Sequence, residues 1–293
     1  MLMEQDMNPK SYLLLALDFR EATLLVIDDP DIHELKESES IDIFEPGKDI
    51  EREVDWDQLF RVLVYVGAGF AMTIALTFVI LIPMLAAGLV TVDLVTMDII
   101  FQPWSVLVLT FTELGFLIPP IYYARKRGFS LHSIGIKIGR PAKEVLLGLA
   151  FGVVMLIANL IITWLVVTYG GVPIEDEAAG FFTPSSTLET IAWVLVMFGV
   201  VGFSEEVLFR GFLQKRMDLY LRPKTDYYRI ASLAITSFIF SFAHLEFVGF
   251  AARFVLGIFL GYLCQRRNYS VLGPTVAHGF NNAAVVILAS LGF

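Results

Sequence analysis

The stretch Trp193–Arg210 reads WVLVMFGVVGFSEEVLFR, and it decides the fold class of this chain. It is apolar enough to cross a bilayer, yet it contains two adjacent carboxylates, Glu205 and Glu206. An acidic residue at the centre of a membrane helix costs about 2.5 to 3.5 kcal/mol on insertion scales. Ionisable residues in such segments therefore usually face a bundle interior or a wet cavity. The stretch predicts a membrane helix with a polar functional site on one face.

The composition of the whole chain favours the same class of protein. Its 293 residues are 56% hydrophobic and only 17% charged, and the mean hydropathy is +0.70. These values lie outside the range of ordinary soluble domains. We therefore predict an all-α, polytopic integral membrane helical bundle of about seven to eight transmembrane helices around a polar intramembrane cavity.

The negative charge of the chain is concentrated at its N-terminal end. Residues 1–57 hold 17 Asp and Glu against 5 Lys and Arg, whereas the remaining 236 residues hold 13 against 16. An acidic tail gives no reason to expect nucleic-acid binding. The single cysteine, Cys264, excludes an intrachain disulfide and a zinc cluster built on cysteines.

The distribution of apolar residues divides the chain into three parts. Residues 1–57 are predicted as an acidic extramembrane segment and linker, 58–184 as N-terminal membrane helices, and 185–293 as the membrane core that holds the paired glutamates. Seven apolar segments are expected to be helical: 59–82, 104–124, 145–168, 188–209, 229–243, 250–265 and 273–292. The fifth and sixth hold about 15 apolar residues each, whereas a spanning helix needs about 20. They are predicted to form a short hairpin whose turn begins at His244.

Basic residues alternate between the connections of these segments. Residues 125–143, 215–229 and 266–272 are rich in Lys and Arg, whereas 83–103 and 169–187 contain none. Because Lys and Arg are enriched in cytoplasmic loops, we expect the N-terminus and the three basic loops in the cytoplasm. The predicted location is the cell membrane.

The spacing of charges around the glutamates predicts a division of roles. Glu206 and Arg210 are four residues apart, so they share a helical face and can pair. Glu205 lies about 100° round the helix and cannot share that geometry equally. Arg210 is therefore expected to keep Glu206 ionised, which leaves Glu205 free to exchange a proton as a general base.

Two further polar motifs follow on the later apolar segments. Phe240 and His244 are four residues apart, as are His278 and Asn282, and Asn281 lies on a neighbouring face. Each of these residues alone is consistent with packing or with helix–helix hydrogen bonding. Together with the glutamates and the arginine, they indicate one shared polar site.

Such a site is compatible with three chemistries. A carboxylate and a histidine can activate water while an asparagine and a second histidine donate to an oxyanion, which hydrolyses an amide without a covalent intermediate. Glutamate and two histidines can instead hold Zn²⁺, although the spacing differs from the helical His-Glu-x-x-His arrangement. Ion or proton coupling in a transporter also uses buried Glu, Arg and His.

The three motifs together resemble those of a known family. Glu205-Glu206-Val-Leu-Phe-Arg210, Phe240-Ser-Phe-Ala-His244 and His278-Gly-Phe-Asn-Asn282 follow one another on successive hydrophobic segments. In this order they resemble the CPBP family of intramembrane glutamic endopeptidases, which includes the type II CAAX prenyl endopeptidase (Rce1) and the ABI proteins. The resemblance covers about residues 185–293.

The resemblance implies a metal-independent endopeptidase without a cofactor. The glutamate corresponding to Glu205 activates water with the help of His244, and His278 and Asn282 form the oxyanion hole. The implied catalytic residues are Glu205, Glu206, His244, His278 and Asn282, with Arg210 and Phe240 in structural or substrate-positioning roles.

The implied partners are the lipid bilayer and a membrane-associated peptide or protein substrate, and no nucleic acid. Processing of a CAAX-like tail, prenylated or not, is one form of this reaction. Two alternatives stay open: a non-proteolytic membrane scaffold or immunity protein of the same family, and a zinc-dependent membrane protease.

Overall fold

The computed structural model describes residues 53–137, 139–170, 184–246 and 249–291. Within these ranges the chain folds into seven helices, each of which coincides with a predicted apolar segment, so the all-α class is confirmed. The helices are α1 (Trp56–Ala86), α2 (Ser105–Lys126), α3 (Pro141–Gly170), α4 (Thr187–Leu221), α5 (Tyr228–Phe242), α6 (Phe250–Arg266) and α7 (Leu272–Ser290).

Small irregularities separate and interrupt these helices. A short hairpin joins α1 to α2, in which β1 (Val90–Val92) pairs antiparallel with β2 (Ile99–Phe101). Within α2, the stretch Phe111–Leu117 tightens to a 3₁₀-helix, and a separate 3₁₀ turn (Leu131–Ile134) precedes α3. This middle stretch of α2 packs against the turn of α4 that carries the glutamates.

The first four helices are long and apolar enough to cross a membrane. The outward faces of α1 and α3 carry large apolar side chains that are more than half exposed, such as Val79, Ile82 and Ile157. Such faces are unfavourable in water but match lipid. The fold is that of an integral membrane protein.

Helix α4 is the central helix of the bundle. Its most apolar 18 residues are 61% buried, against 11% for α1 and 17% for α3. The prediction that this segment ends near residue 209 is wrong, because the helix continues to Leu221. Its second half carries charged residues, including Lys215 and Asp218, that are buried against neighbouring elements rather than against lipid.

Helices α5 and α6 form the short hairpin predicted from the sequence. They have 15 and 17 residues and pack against each other. At 1.5 Å per residue their lengths are about 22 to 26 Å, less than the roughly 30 Å of the hydrocarbon core. The helical part of α5 ends at Phe242, so His244 lies in the turn, as expected.

Close backbone contact brings α4 next to α7. A Cβ atom on Gly279 would lie 2.7 Å from the ring of Phe198, and one on Gly202 would lie 3.0 Å from the carbonyl oxygen of Thr275. At position 279 only glycine permits this approach, and at position 202 a side chain would push the two helices apart by a few tenths of an ångström. The contact sets the glutamate turn of α4 beside His278 of α7.

Two predicted features fall largely outside the described residues. Of the acidic segment 1–57, only residues 53–57 are described, and Asp55 caps α1 through reciprocal hydrogen bonds with Gln58. The acidic connection at 175–177 also lies outside the described residues. The three-part division of the chain stays a prediction.

Candidate active site

The two glutamates lie on a single α-helical turn between two wider stretches of α4. Met197–Gly202 and Val207–Gln214 are π-helical, and Phe203–Glu206 between them is α-helical. Stretches of π-helix are rare and occur frequently at functional sites. The change in winding makes this part of α4 unlike the regular helices around it.

Glu206 forms the predicted ion pair with Arg210. The Arg210 Nη1 atom lies 3.1 Å from Glu206 Oε1, and both side chains are at most 2% exposed. The guanidinium also packs over the ring of Phe240, 4.2 Å from its centre. Cation–π contact and ion pairing together fix Arg210 in a site from which water is largely excluded.

His278 joins α7 to both glutamates. Its Nδ1 atom lies 2.9 Å from Glu206 Oε1, and its Nε2 atom lies 3.8 Å from Glu205 Oε2. An ionised carboxylate only accepts hydrogen bonds, so Nδ1 carries the hydrogen. The imidazole is therefore held by Glu206 and directs its other nitrogen toward Glu205.

The environments of the two glutamates differ as the sequence predicted. Glu206 Oε1 is contacted by both Arg210 and His278. Glu205 is 6% exposed, and its Oε2 atom is buried without a hydrogen-bond partner among the described residues. The 3.8 Å gap to His278 is too long for a hydrogen bond. The Oε2 atom of Glu206 also lacks a hydrogen-bond partner, so the two glutamates differ in that Glu206 alone is anchored by both Arg210 and His278.

Phe240 is the aromatic centre of the site. Its ring lies edge-on to the rings of His244 and His278, with centroid distances of 5.1 and 5.9 Å. It is 2% exposed and also contacts Arg210. The Phe240 ring thus contacts Arg210, His244 and His278, which belong to three different elements.

His244 does not contact Glu205 directly. Its ring is exposed, and its Nδ1 atom lies 2.9 Å from the carbonyl oxygen of Phe240, which fixes the ring beside Phe240. Among the described residues His244 forms no hydrogen bond or ion pair with either glutamate. The structure instead places His278 next to the expected general base.

Asn282 lies one helical turn beyond His278 on α7 and is half-buried. Its Oδ1 atom accepts a hydrogen bond from Asn281 Nδ2 at 3.1 Å. The bond leaves the amide nitrogen of Asn282 as an available donor on the His278 face. The adjacent Asn281 is buried, as expected for a residue on another face.

Two charged residues near Glu205 were missed by the sequence analysis. Glu113, on the 3₁₀ stretch of α2, interacts electrostatically with Glu205, and its Oε2 atom is buried without a hydrogen-bond partner. Arg253, near the start of α6, also interacts with Glu205. Each is a single ionisable residue within an apolar segment. The same sequence feature marks Glu205 as a candidate site residue.

The donor set can also be compared with the needs of a metal ion. Among the described residues, no group of three or more His, Cys, Asp and Glu side chains is arranged to hold one. Glu206 and His278 are bonded to each other, so the Glu206 oxygen and the His278 Nδ1 nitrogen are already in use. Glu205 Oε2, at 3.8 Å from His278 Nε2, lies outside this bonded pair.

Fold and site together define an integral membrane protein with a buried glutamate, arginine and histidine cluster. Residues 187–284, about a third of the chain, match the family model described as "Type II CAAX prenyl endopeptidase Rce1-like". The match begins at the first residue of α4 and ends within α7. The predicted resemblance is confirmed for this region. No curated protein and no solved structure matches the chain.

The family match supports a CAAX-type intramembrane protease, and hence a peptide hydrolase, at the level of the family. It also supports a lipid bilayer and a membrane-associated substrate as partners. All the predicted site residues, from Glu205 to Asn282, lie within the matched region.

Proposed function

We propose that this protein is a metal-independent intramembrane endopeptidase in which a water molecule activated by Glu205 hydrolyses a peptide bond. One observation carries the proposal. Of two adjacent buried glutamates, Glu206 is held through its Oε1 atom by Arg210 and His278, whereas Glu205 approaches His278 Nε2 only to 3.8 Å and its Oε2 atom has no hydrogen-bond partner among the described residues. A buried base with unused bonding capacity is what proton abstraction requires.

The reaction can be written with its protons balanced. The oxygen of water attacks the carbonyl carbon of the scissile peptide, and Glu205 takes the proton that the water loses. The tetrahedral oxyanion then collapses, the carbon–nitrogen bond breaks, and Glu205 returns the proton to the departing amine. The products are a new carboxyl terminus and a new amino terminus.

The attacking water would contact the side chains of Glu205 and His278 at the same time. The 3.8 Å separation of Glu205 Oε2 and His278 Nε2 allows a molecule placed to one side to reach both at about 2.8 Å. Glu206 orients the imidazole through Nδ1, as a carboxylate orients histidine in catalytic triads.

The oxyanion needs donors at the same end of the site. We assign this role to His278 and Asn282, which share a face of α7, with His244 assisting from the turn beyond Phe240. Donation from both nitrogens of His278 requires a ring that is protonated on each. Preorganised donors of this kind contribute about 10² to 10³ in rate.

The proposed substrate is a peptide whose cleavage site reaches the bilayer, with a CAAX-like tail, prenylated or not, as the leading candidate. Residues 125–143, 215–229 and 266–272 would face the cytoplasm of a cell membrane, together with the N-terminus. This orientation is supported by the alternation of basic connections.

The proposal is tested by incubating the detergent-purified full chain with synthetic Cys-a-a-X peptides, with and without a prenyl group. We expect cleavage by the wild type, and a loss of about 10² to 10⁴ in kcat for Glu205→Gln. Mass spectrometry of the products locates the cut. Full activity of a folded Glu205→Gln protein contradicts the proposal.

Two further measurements separate the alternatives. If a chelator abolishes cleavage and zinc restores it, the protein is a zinc-dependent protease. If neither peptide is cut, yet a membrane partner binds the wild type and Glu205→Gln equally, the protein is a scaffold or immunity protein. The endopeptidase proposal predicts cleavage that a chelator leaves unchanged.

A further inference from the structure

Arg253 is a cation beside the proposed active site whose bonding capacity is only partly used. It lies in the first turn of α6, directly after the turn that carries His244. Its side chain is 20% exposed, and it interacts electrostatically with Glu205. The mechanism proposed above gives it no role.

The two terminal nitrogens of the Arg253 guanidinium differ in their bonding partners. Nη2 forms an ion pair with Glu246, a residue of the α5–α6 turn whose side chain is 55% exposed. Nη1 is buried and has no hydrogen-bond partner among the described residues. An unsatisfied buried donor is unfavourable, whereas a guanidinium fork binds a carboxylate with both arms.

The absence of a side chain at Gly249 leaves room for the guanidinium against the backbone. The guanidinium lies over Gly249, where a Cβ atom would overlap it. The residue at position 249 must therefore be small for Arg253 to keep this place. The cation is held where the turn, α6 and the vicinity of Glu205 meet.

We propose that Arg253 binds the C-terminal carboxylate of the peptide substrate, displacing Glu246 from the guanidinium. This inference rests on the proposed function, since it assigns the subsite that selects a substrate for the same Glu205. In a Cys-a-a-X peptide that is cut after the cysteine, three residues follow the scissile bond. The terminal carboxylate then lies at most about 10 Å beyond that bond. Glu246 occupies the subsite in the absence of substrate and competes with it.

The subsite makes cleavage depend on a free carboxyl terminus. We expect the wild type to cleave a Cys-a-a-X peptide acid at least ten times more efficiently, in kcat/KM, than the same peptide as a C-terminal amide. Arg253→Gln should reduce this preference to less than twofold, mainly through a higher KM for the acid. Glu246→Gln should lower the KM for the acid, because the internal competitor is removed.

Matched variants control for charge and folding. Arg266→Gln removes a positive charge from the other end of α6 and should keep the preference for the acid. Arg253→Lys retains the charge without the fork and should keep a reduced preference. Gly249→Ala retains Arg253 but displaces it, so it should behave like Arg253→Gln. The last two variants keep the test valid if Arg253→Gln does not fold.

The outcomes distinguish this subsite from the proposed function. A wild type that cleaves acid and amide equally, or a folded Arg253→Gln protein that keeps the preference, overturns the subsite but not the protease. Equal cleavage of an amide that carries Asp at its last position assigns Arg253 to an acidic side chain instead, which also overturns it.

A binding measurement applies even if no peptide is cut. The a-a-X tripeptide with a free carboxyl terminus should raise the midpoint temperature of thermal unfolding of the wild type. The same tripeptide as a C-terminal amide should not. Loss of that difference in Arg253→Gln supports the subsite independently of hydrolysis. An equal shift by both tripeptides, or none by either, contradicts it.

Discussion

Two groups of buried charges lie on α4, and the surrounding structure satisfies them to different degrees. The loop-end cluster comprises Lys215, Arg216 and Asp218 of α4 with Ser232 of α5 and Gln265 of α6. The glutamate site comprises Glu205, Glu206 and Arg210 with His278 of α7. All of these side chains except the partly buried Gln265 are almost completely buried, so burial alone does not mark the functional group.

Asp218 and Lys215 of the loop-end cluster each have more than one hydrogen-bond partner. The carboxylate of Asp218 accepts from Ser232 and from Gln265 Nε2, at 3.3 to 3.4 Å for the latter. Lys215 Nζ donates to the carbonyl oxygens of His132 and Ser133, at 3.3 and 3.0 Å. These hydrogen bonds connect α4 to the 3₁₀ turn before α3 and to α5 and α6.

Several buried polar atoms of the glutamate site have no hydrogen-bond partner among the described residues. They include Glu205 Oε2, Glu206 Oε2 and Arg210 Nη2. Unsatisfied buried polar groups are rare in folded proteins, and each is unfavourable. Both oxygens of Asp218, by contrast, have hydrogen-bond partners. This difference between Asp218 and Glu205 is what the proposed role of Glu205 as a base requires.

The largest effect on stability is expected at Glu206. Glu206→Gln removes the charge that compensates Arg210 at a site where both side chains are at most 2% exposed. An uncompensated buried charge costs about 3 to 5 kcal/mol. The free energy of unfolding, measured by detergent titration in mixed micelles, should fall by that amount. A fall of less than about 1 kcal/mol would remove the structural role assigned to Glu206.

A smaller loss of stability is expected at Asp218. Asp218→Asn turns one acceptor oxygen into a donor, which then faces the donors of Ser232 and Gln265. The loss should be about 1 to 3 kcal/mol. The kcat of the folded fraction should equal that of the wild type. A tenfold fall in kcat with unchanged stability would show that the two clusters are not separate in function.

A gain in stability is expected at Glu113. Glu113→Gln removes an ionisable group that is buried near Glu205 and has an oxygen without a hydrogen-bond partner. The free energy of unfolding should rise by about 1 kcal/mol, because a neutral amide is easier to bury than an ionisable carboxyl group. Asp218→Asn is the matched control, since it makes the same change from a buried carboxyl group to an amide. Equal destabilisation by both substitutions would contradict the contrast between the clusters.

The sequence predicted the parts of this site that depend on local spacing. Glu206 and Arg210 pair because four residues separate them on one helix. The turn at His244 follows from apolar segments too short to span. In these cases the relevant contacts lie within one element or in the turn next to it.

The sequence could not supply contacts between distant elements. His278 meets Glu206 across 72 residues because Gly202 and Gly279 let α4 and α7 touch. Hydropathy also placed the end of α4 too early, since it reports where a helix leaves lipid rather than where it ends. The same limitation hid Glu113 and Arg253, whose proximity to Glu205 depends on the packing of α2 and α6.

The role of Glu205 as the base is tested most directly by measuring cleavage and stability on the same purified Glu205→Gln sample. We expect peptide cleavage to fall by about 10² to 10⁴, while the free energy of unfolding equals or exceeds that of the wild type. Retained cleavage would contradict the role of Glu205 as the base. A loss of stability as large as that of Glu206→Gln would contradict the difference in role between the two glutamates.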